Sequence, residues 1–191
     1  MKTAPHSIIS WRSGHARIRE ANVSDAAAIA KVHVDSWRTT YAGVIPDAYL
    51  AKLSYEGRER AWRNGLVKPE RREFIYVAED ERGEVIGFAS GGPERDGDPL
   101  YQGEMYAVYL LKRFQRQGIG RQLSVAVAQR LLQAGYDSMV VWVLAENPSR
   151  GFYAALGGEV VSQKPIEVGE AKLVEVAYGW KDLNALIGLG T

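Results

Sequence analysis

The sequence predicts an α/β domain, α+β in layout, built on one mixed, mostly antiparallel twisted sheet of about seven strands flanked by helices. Three observations carry this expectation. The chain has 191 residues, 46% of them hydrophobic and 25% charged, which suits one compact domain and would cramp two. Residues 73–111 hold three short β-rich runs separated by polar turns, the pattern of an antiparallel meander. Residues 138–144, SMVVWVL, are apolar without alternation, as in a central strand covered on both faces. A helix separates them from the preceding strand, which implies a right-handed parallel crossover.

Taken in order, residues 1–15 are an N-terminal arm and 16–191 the single domain. Residues 16–20 are a short strand. Ser24 and Asp25 are placed to cap a helix whose apolar positions Ala28, Ile29, Val32, His33 and Trp37 recur at helical spacing. The stretch 37–53 breaks at Gly43 and Pro46 and resumes a helical pattern through Tyr49 and Leu53. Residues 55–66 are a further helix, with Trp62 and Leu66 on one side and Arg58, Glu59 and Arg60 on a solvated face. Residues 73–78 and 84–90 form a hairpin closed by the turn 79–83, and the loop 91–99 ends it. Residues 100–111 carry the strongest strand signal, with Tyr101, Met105, Tyr106, Val108, Tyr109 and Leu110. A helix follows over 118–134, with Leu123, Val127, Leu131 and Ala134 on one face and Gly135 as its stop. After the central strand, Asn147 and Pro148 are read as N-cap and first position of a short helix ending near Gly157, and 160–164 and 172–180 are the closing strands.

Charge and composition exclude several classes of function. With 24 Lys+Arg against 23 Asp+Glu the formal net charge is +1, so no global field draws the chain to nucleic acid or to an anionic membrane. The absence of cysteine removes disulfides, thiolate metal sites and a cysteine nucleophile. His6, His15 and His33 are scattered without the spacing that pairs two imidazoles on one helical face, so no metal is expected, and His33 is read as packing or a cap. No signal-peptide pattern and no run of about 18 apolar residues occurs, so a soluble, cytoplasmic protein is expected.

The stretch 106–123, YAVYLLKRFQRQGIGRQL, takes a strand through a cationic turn into a helix start, where free amides favour an anion. Gly118 and Gly120 remove side chains that would keep a ligand off the backbone, and Lys112, Arg113, Arg116 and Arg121 add charge, a combination suited to a pyrophosphate. A glycine-softened helix start with solvated cations is the bland alternative. The Walker pattern is absent, and a Rossmann fingerprint would need glycine where Leu123 stands.

Gln115, Gly118 and Gly120 match the QxxGxG signature, and the chain thereby resembles the GCN5-related N-acetyltransferases. The resemblance extends over nearly the whole chain and includes a second motif, NPSRGFYAALGG, at 147–158. It implies acetyl coenzyme A as cosubstrate, with no metal, and a central parallel pair of strands splayed where the cofactor lies. Leu110, Leu111, Gln115, Arg116, Gln117, Gly118, Ile119, Gly120 and Arg121 would hold the cofactor. Asn147 corresponds to the Asn that contacts the pantetheine arm, and Tyr153 to the Tyr that protonates the leaving thiolate. On residue type alone Asn147 could be only an N-cap and Tyr153 only a core aromatic. Lys112 stands where many relatives have Pro, Arg116 where Gly is common, and Gly158-Glu159 replaces Gly-Phe.

Acetyl transfer to an amine needs a neutral amine, an aligned carbonyl, a donor for the oxyanion and a proton for the thiolate. The resemblance assigns the donor to the Leu110 N–H and the proton to Tyr153. Glu104 is the candidate base: simple alternation gives it the face of Tyr106, Val108 and Leu110, while a structural ion pair explains it as well. Trp37, Arg38 and Tyr41 are candidates for the acceptor pocket, since WRTTYAGVIPDAYL is similar to family members that include polyamine acetyltransferases, with packing as the alternative for the two aromatics. A small-amine acetyltransferase is thus expected, acting by direct attack in a ternary complex. A protein N-terminal acetyltransferase and a noncatalytic coenzyme A sensor are the rivals. Homodimers are frequent in the family, and the sequence leaves that partner open.

Overall fold

The structure, a computed structural model, describes residues 16–68 and 72–188, so the N-terminal arm lies outside the described residues. Its strands are β1 (Arg17–Glu20), β2 (Phe74–Glu79), β3 (Val85–Pro93), β4 (Gly103–Leu110), β5 (Met139–Leu144), β6 (Glu159–Val168) and β7 (Ala171–Trp180). They form one seven-stranded sheet in the order β1-β2-β3-β4-β5-β7-β6. Every neighbouring pair is antiparallel except β4 and β5. That parallel pair is joined through helix α4 (Ile119–Gln133), as the apolar run 138–144 and its preceding helix predict.

The helices are set out by which stripe is apolar. In α4, Leu123, Val127 and Leu131 recur every fourth residue and are fully buried against Met105, Met139 and Val141 on one face of the sheet. Its end is a left-handed Gly135 (φ 90°) with Tyr136 N donating to Leu131 O at 3.0 Å and Gly135 N to Leu132 O at 3.0 Å. On the other face, α1 (Ala26–Thr40) buries Ile29 and Val32 against Ile75, Val77 and Phe88. Helix α3 (Tyr55–Leu66) packs against α1 and adds Leu66 and Trp62 to the same core. Between them lie the bend at Gly43 to Pro46 and α2 (Asp47–Lys52).

Four local expectations are corrected. Ser24 does not cap α1: Asn22 Oδ1 accepts from Ser24 N at 2.9 Å, and Asp25 returns a carboxylate to Asn22 N at 2.8 Å, a reciprocal box around a 3₁₀ turn that precedes the helix. Asp25 also receives Arg19 at 2.8 Å, and this guanidinium holds its carboxyl below the usual range. The helix after Asn147 is α5 (Gly151–Ala155), later than expected, because Asn147 Oδ1 caps a turn through Ser149 N at 2.8 Å and Pro148 sits in that turn. Strand β6 runs four residues past 164 and includes Pro165, which an edge strand tolerates. The chain then adds α6 (Leu183–Gly188), whose Leu183 and Leu186 are buried in the α4-side core.

The fourth correction bears on the site. Ser90 pairs with Ala107 and Gly91 with Met105, so Tyr106 is the extra residue of a β-bulge in β4. The bulge reverses parity. Met105, Val108 and Leu110 belong to the α4-side core, and Ala107 and Tyr109 to the α1 side. Glu104 therefore shares its face with Ala107 and Tyr109, not with Val108 and Leu110. The partner strand must approach closely here: a Cβ on Gly91 would stand 2.7 Å from Glu104 O and 2.6 Å from Val127 Cγ1.

Candidate active site

The turn between β4 and α4 has the geometry of an anion cradle. Gly118 is the N-cap in left-handed conformation (φ 82°), no side chain caps the helix, and the first amide drawn inward is Gln122 N to Gly118 O at 3.1 Å. The amides of Ile119, Gly120 and Arg121 are left for a ligand. Arg116 also adopts positive φ (64°), among the described residues the one non-glycine to do so, which gives a steric reason for the glycine common there. Ile119 is buried in the core, so only its amide can serve an anion. Gln115 Nε2 donates to Leu110 O at 3.0 Å and Gln117 Nε2 to Arg113 O at 3.2 Å, pinning the loop to the strand end and to itself. Among the described residues the buried Arg121 Nε has no hydrogen-bond partner. A Cβ on Gly120 would make only an ordinary 3.4 Å contact with the Phe152 ring, so packing alone does not require glycine there.

Beside the turn the sheet opens. Strands β4 and β5 pair only over Gly103–Met105 and Met139–Val141, and beyond that point they part. Leu111 N donates to Ile86 O at 3.0 Å, toward β3, so the alternation of the strand sends the Leu110 N–H the other way, into the gap. Tyr153 on α5 is buried against Phe152 and Tyr178, and its phenol is pushed well up by burial and by Tyr41. Asn147 uses both ends of its amide, with Nδ2 donating to the Tyr41 hydroxyl at 3.1 Å. The structure thus brings Leu110, Asn147, Tyr153 and Tyr41 to the splay.

The α1 face of the splay is aromatic on one side and charged on the other. Trp37, Tyr41, Tyr109 and Leu144 pack together, with Trp37 and Tyr41 ring centroids 5.2 Å apart. Trp37 Nε1 is buried and, among the described residues, makes no hydrogen bond of good geometry, with the Tyr109 hydroxyl nearby. Arg38 points away from this cluster: its Nη2 donates to Leu53 O at 2.7 Å and its guanidinium covers Tyr55, so it ties α1 to the segment after α2. The charged side is a cavity of about 380 Å³ lined by Arg95, Asp96, Glu104, Tyr106, Trp142 and Lys164, with Glu175 at its wall. Glu104 is 2% exposed, and both its oxygens are taken by Arg95, Nε at 2.9 Å and Nη2 in a still shorter contact. Arg95 stacks on Tyr106 at 4.1 Å, and the Tyr106 hydroxyl donates to Pro93 O at 2.6 Å, so the bulge residue fixes the ion pair. Burial pushes the Tyr106 phenol up to about 12, the Glu104 carboxylate adding to the effect.

Four residues of this region were not among the site residues expected from the sequence, although Tyr109 was read as strand and His33 as packing or a cap. Tyr109 lies on the α1 face in electrostatic reach of Tyr41 and Tyr153, and His33 stacks on it at 5.2 Å and 20°. Arg95 comes from a polar loop that carries no motif, and Glu175 from a strand read only as closing the sheet. The alternation of Lys172, Val174 and Val176 could have marked Glu175 as facing the other way, toward the cavity. Among the described residues no three His, Asp or Glu side chains converge on a metal position, and no helix is long and apolar enough to cross a membrane.

Comparison with known proteins agrees with this geometry. Residues 99–165, which span β4, the turn, α4, β5 and α5, match the FR47-like protein family. The chain is 48% identical to the uncharacterized N-acetyltransferase YuaI of Bacillus subtilis (strain 168) over 169 residues, 88% of this chain and 95% of YuaI. It is 30% identical over 156 residues to the L-methionine sulfoximine/L-methionine sulfone acetyltransferase of Pseudomonas aeruginosa, covering 81% of this chain and 86% of the relative. Among solved structures, the PaiA N-acetyltransferase of Thermoplasma acidophilum in complex with coenzyme A superposes with a TM-score of 0.68 at 20% identity, over 84% of this chain and 98% of PaiA. YncA of Salmonella typhimurium, solved with acetyl-CoA, gives 0.66 at 23% identity over 88% and 94% of the two chains. The fold superposes on those N-acetyltransferases, and the identity to YuaI extends over nearly the whole domain: the chain is an N-acetyltransferase of the GCN5-related family.

Proposed function

We propose that the protein transfers the acetyl group of acetyl-CoA to a small primary amine by direct attack in a ternary complex. The observation that carries this is the Leu110 N–H facing the gap between β4 and β5, one loop away from the open amides of α4. The turn from Gln115 to Arg121 would receive the pyrophosphate, with Arg116 and Arg121 supplying charge and Leu110, Leu111 and Asn147 lining the path of the pantetheine arm. The Leu110 N–H is placed to stabilise the oxyanion as the carbonyl is attacked. Tyr153 is protonated at neutral pH as any phenol is, and burial holds that proton more firmly still, so it would give it up only to the charge that develops on the departing sulfur.

The acceptor would enter from the α1 face. Trp37, Tyr41 and Tyr109 offer aromatic surfaces to a cationic amine, an attraction of about 0.5 to 2 kcal/mol. Arg38 serves the pocket only by holding its wall. Glu104 gives that side a negative charge, but as base it would first have to release Arg95. The acetylation of a small amino-acid derivative by the Pseudomonas relative supports a small-molecule acceptor over a protein terminus.

Thiol release from acetyl-CoA, measured with spermidine, an aryl amine, methionine sulfone and an N-terminal peptide, tests the proposal. Turnover with one of the small amines is expected. Turnover with the peptide alone would replace it with protein acetylation, and binding of acetyl-CoA without any thiol release would leave a sensor.

A further inference from the structure

We propose that Glu175 is the base that takes the proton of the acceptor ammonium, while Glu104 serves as the fixed partner of Arg95. This rests on the acetyl-transfer reading above and names a residue outside both sequence motifs.

Register is the first ground. Glu104 sits opposite Val140, where β4 and β5 are still paired. Glu175 sits opposite Leu144, the last residue of β5, at the level where the two strands have parted. Leu144 packs with Tyr41 on the α1 face, and Glu175, as its ladder partner, shares that face; burial raises the Tyr41 phenol and Glu175 adds to it. So Glu175 is near the splay, where the carbonyl would lie, whereas Glu104 is four residues back along the sheet.

The second ground is charge pairing. The cavity holds Asp96, Glu104 and Glu175 against Arg95 and Lys164. Arg95 is committed to Glu104. Lys164 is paired with Glu175 in the ladder, yet its Nζ bonds Asp96 at 2.6 Å and lies 4.0 Å above the Trp142 ring. Among the described residues the Glu175 carboxylate has no hydrogen bond or ion pair, so one negative charge of the cavity is left for a cation from outside. Burial, reinforced by Glu104 and Asp96 and opposed by Lys164 and Arg95, raises its proton affinity, which brings it toward the range of a useful base.

The step balances as follows. The ammonium gives one proton to Glu175, and the freed lone pair forms the C–N bond at the thioester carbon. The C–S bond breaks and its electrons go to sulfur, which takes the Tyr153 proton. The remaining extra proton on nitrogen returns through solvent to the Tyr153 oxygen, and Glu175 releases its own to solvent. One ammonium and one thioester give one amide, one thiol and one proton.

The pH dependence of kcat/KM, measured with the fastest amine of the panel, separates the two carboxylates. With Glu175 as base the wild-type profile is flat from neutrality toward the amine pKa, since loss of the proton happens in the complex. Glu175→Gln must wait for amine that is already neutral, about one molecule in 10³ at pH 7 for a reference value near 10.4. Its rate should fall at least about 10²-fold at pH 7 and climb about tenfold per pH unit. Glu104→Gln should keep the flat profile, and both variants should bind acetyl-CoA like the wild type in calorimetry, which checks folding. A Glu175→Gln profile that stays flat and within about threefold of wild type, or the sloping profile appearing in Glu104→Gln instead, overturns the assignment while leaving acetyl transfer standing. Absence of thiol release in the wild type itself overturns both.

Discussion

Lowering the pH from 7 to 5 should destabilise this domain through one buried imidazole. His33 lies on α1 within 6.0 Å, centroid to centroid, of Trp37, Trp62, Phe88 and Tyr109, and its Nδ1 accepts from Trp62 Nε1 at 3.3 Å. Burial, helped by Arg58, pushes its pKa down from 6.5 to about 3. The folded value is the lower one, so between these limits the unfolded chain takes up a proton that the folded one refuses. The stabilising contribution is whole above pH 6.5 and is lost progressively as pH falls toward 3. With RT of about 0.59 kcal/mol, the loss between pH 7 and pH 5 is about 2 kcal/mol, or some 4–8 °C in Tm for a domain of this size.

Urea denaturation of the wild type and of His33→Gln at both pH values isolates this term. Gln keeps a hydrogen-bond acceptor and does not titrate, so the variant can be less stable at pH 7 yet should lose about 2 kcal/mol less on acidification. His6 and His15 are common to both proteins and cancel. Equal losses in the two proteins, or a His33 resonance titrating near 6.5, would refute the reasoning. Because His33 stacks on Tyr109, protonating it would also disturb the aromatic wall of the acceptor pocket.

Tyr153→Phe removes the proton and keeps the ring, so kcat should fall by about 10²-fold with acetyl-CoA affinity retained; full turnover in a chemistry-limited assay removes Tyr153 from the mechanism. Gly91→Ala places a Cβ against Glu104 O and Val127, so chemical denaturation should show a loss of about 1 to 3 kcal/mol. Arg116→Gly should leave stability within about 1 kcal/mol, since relief of the left-handed strain offsets the entropy of glycine, while calorimetry should show weaker acetyl-CoA binding. An unchanged Kd would take that cation out of the site.

The elements were legible wherever one periodicity ran uninterrupted. Leu123, Val127 and Leu131 marked α4, the unbroken apolar run 138–144 marked the central strand, and Gln115, Gly118 and Gly120 marked the cradle between them. Asn147 and Tyr153 stood out only through the resemblance of 147–158 to the family's second motif, since on residue type alone they read as an N-cap and a core aromatic. Less visible were features decided by a neighbouring strand. Pro165 discouraged extending β6, because only the position of that strand at the sheet edge makes the missing N–H harmless. Arg95 belongs to a loop whose shape comes from Glu94, whose carboxylate takes the amides of Asp96, Gly97 and Asp98, a closure that composition does not announce.

The bulge at Tyr106 ties these omissions to function. Alternation counted from 104 to 110 puts Glu104 beside Leu110, and the extra residue moves it to the opposite face. The signal was on the other strand: Gly91 and Gly92 of β3 are the positions where the bulged backbone and the Tyr106 ring need room. Once displaced, Glu104 meets Arg95, and Tyr106 holds that guanidinium by stacking. A carboxylate so committed is well suited to set the charge of a cavity and poorly suited to accept a proton. That is why Glu175, which among the described residues has no hydrogen bond or ion pair and lies two strands from β4 but level with the splay, is the carboxylate proposed as base, and why comparing the pH profiles of Glu104→Gln and Glu175→Gln tests the geometry of the bulge as well as the chemistry.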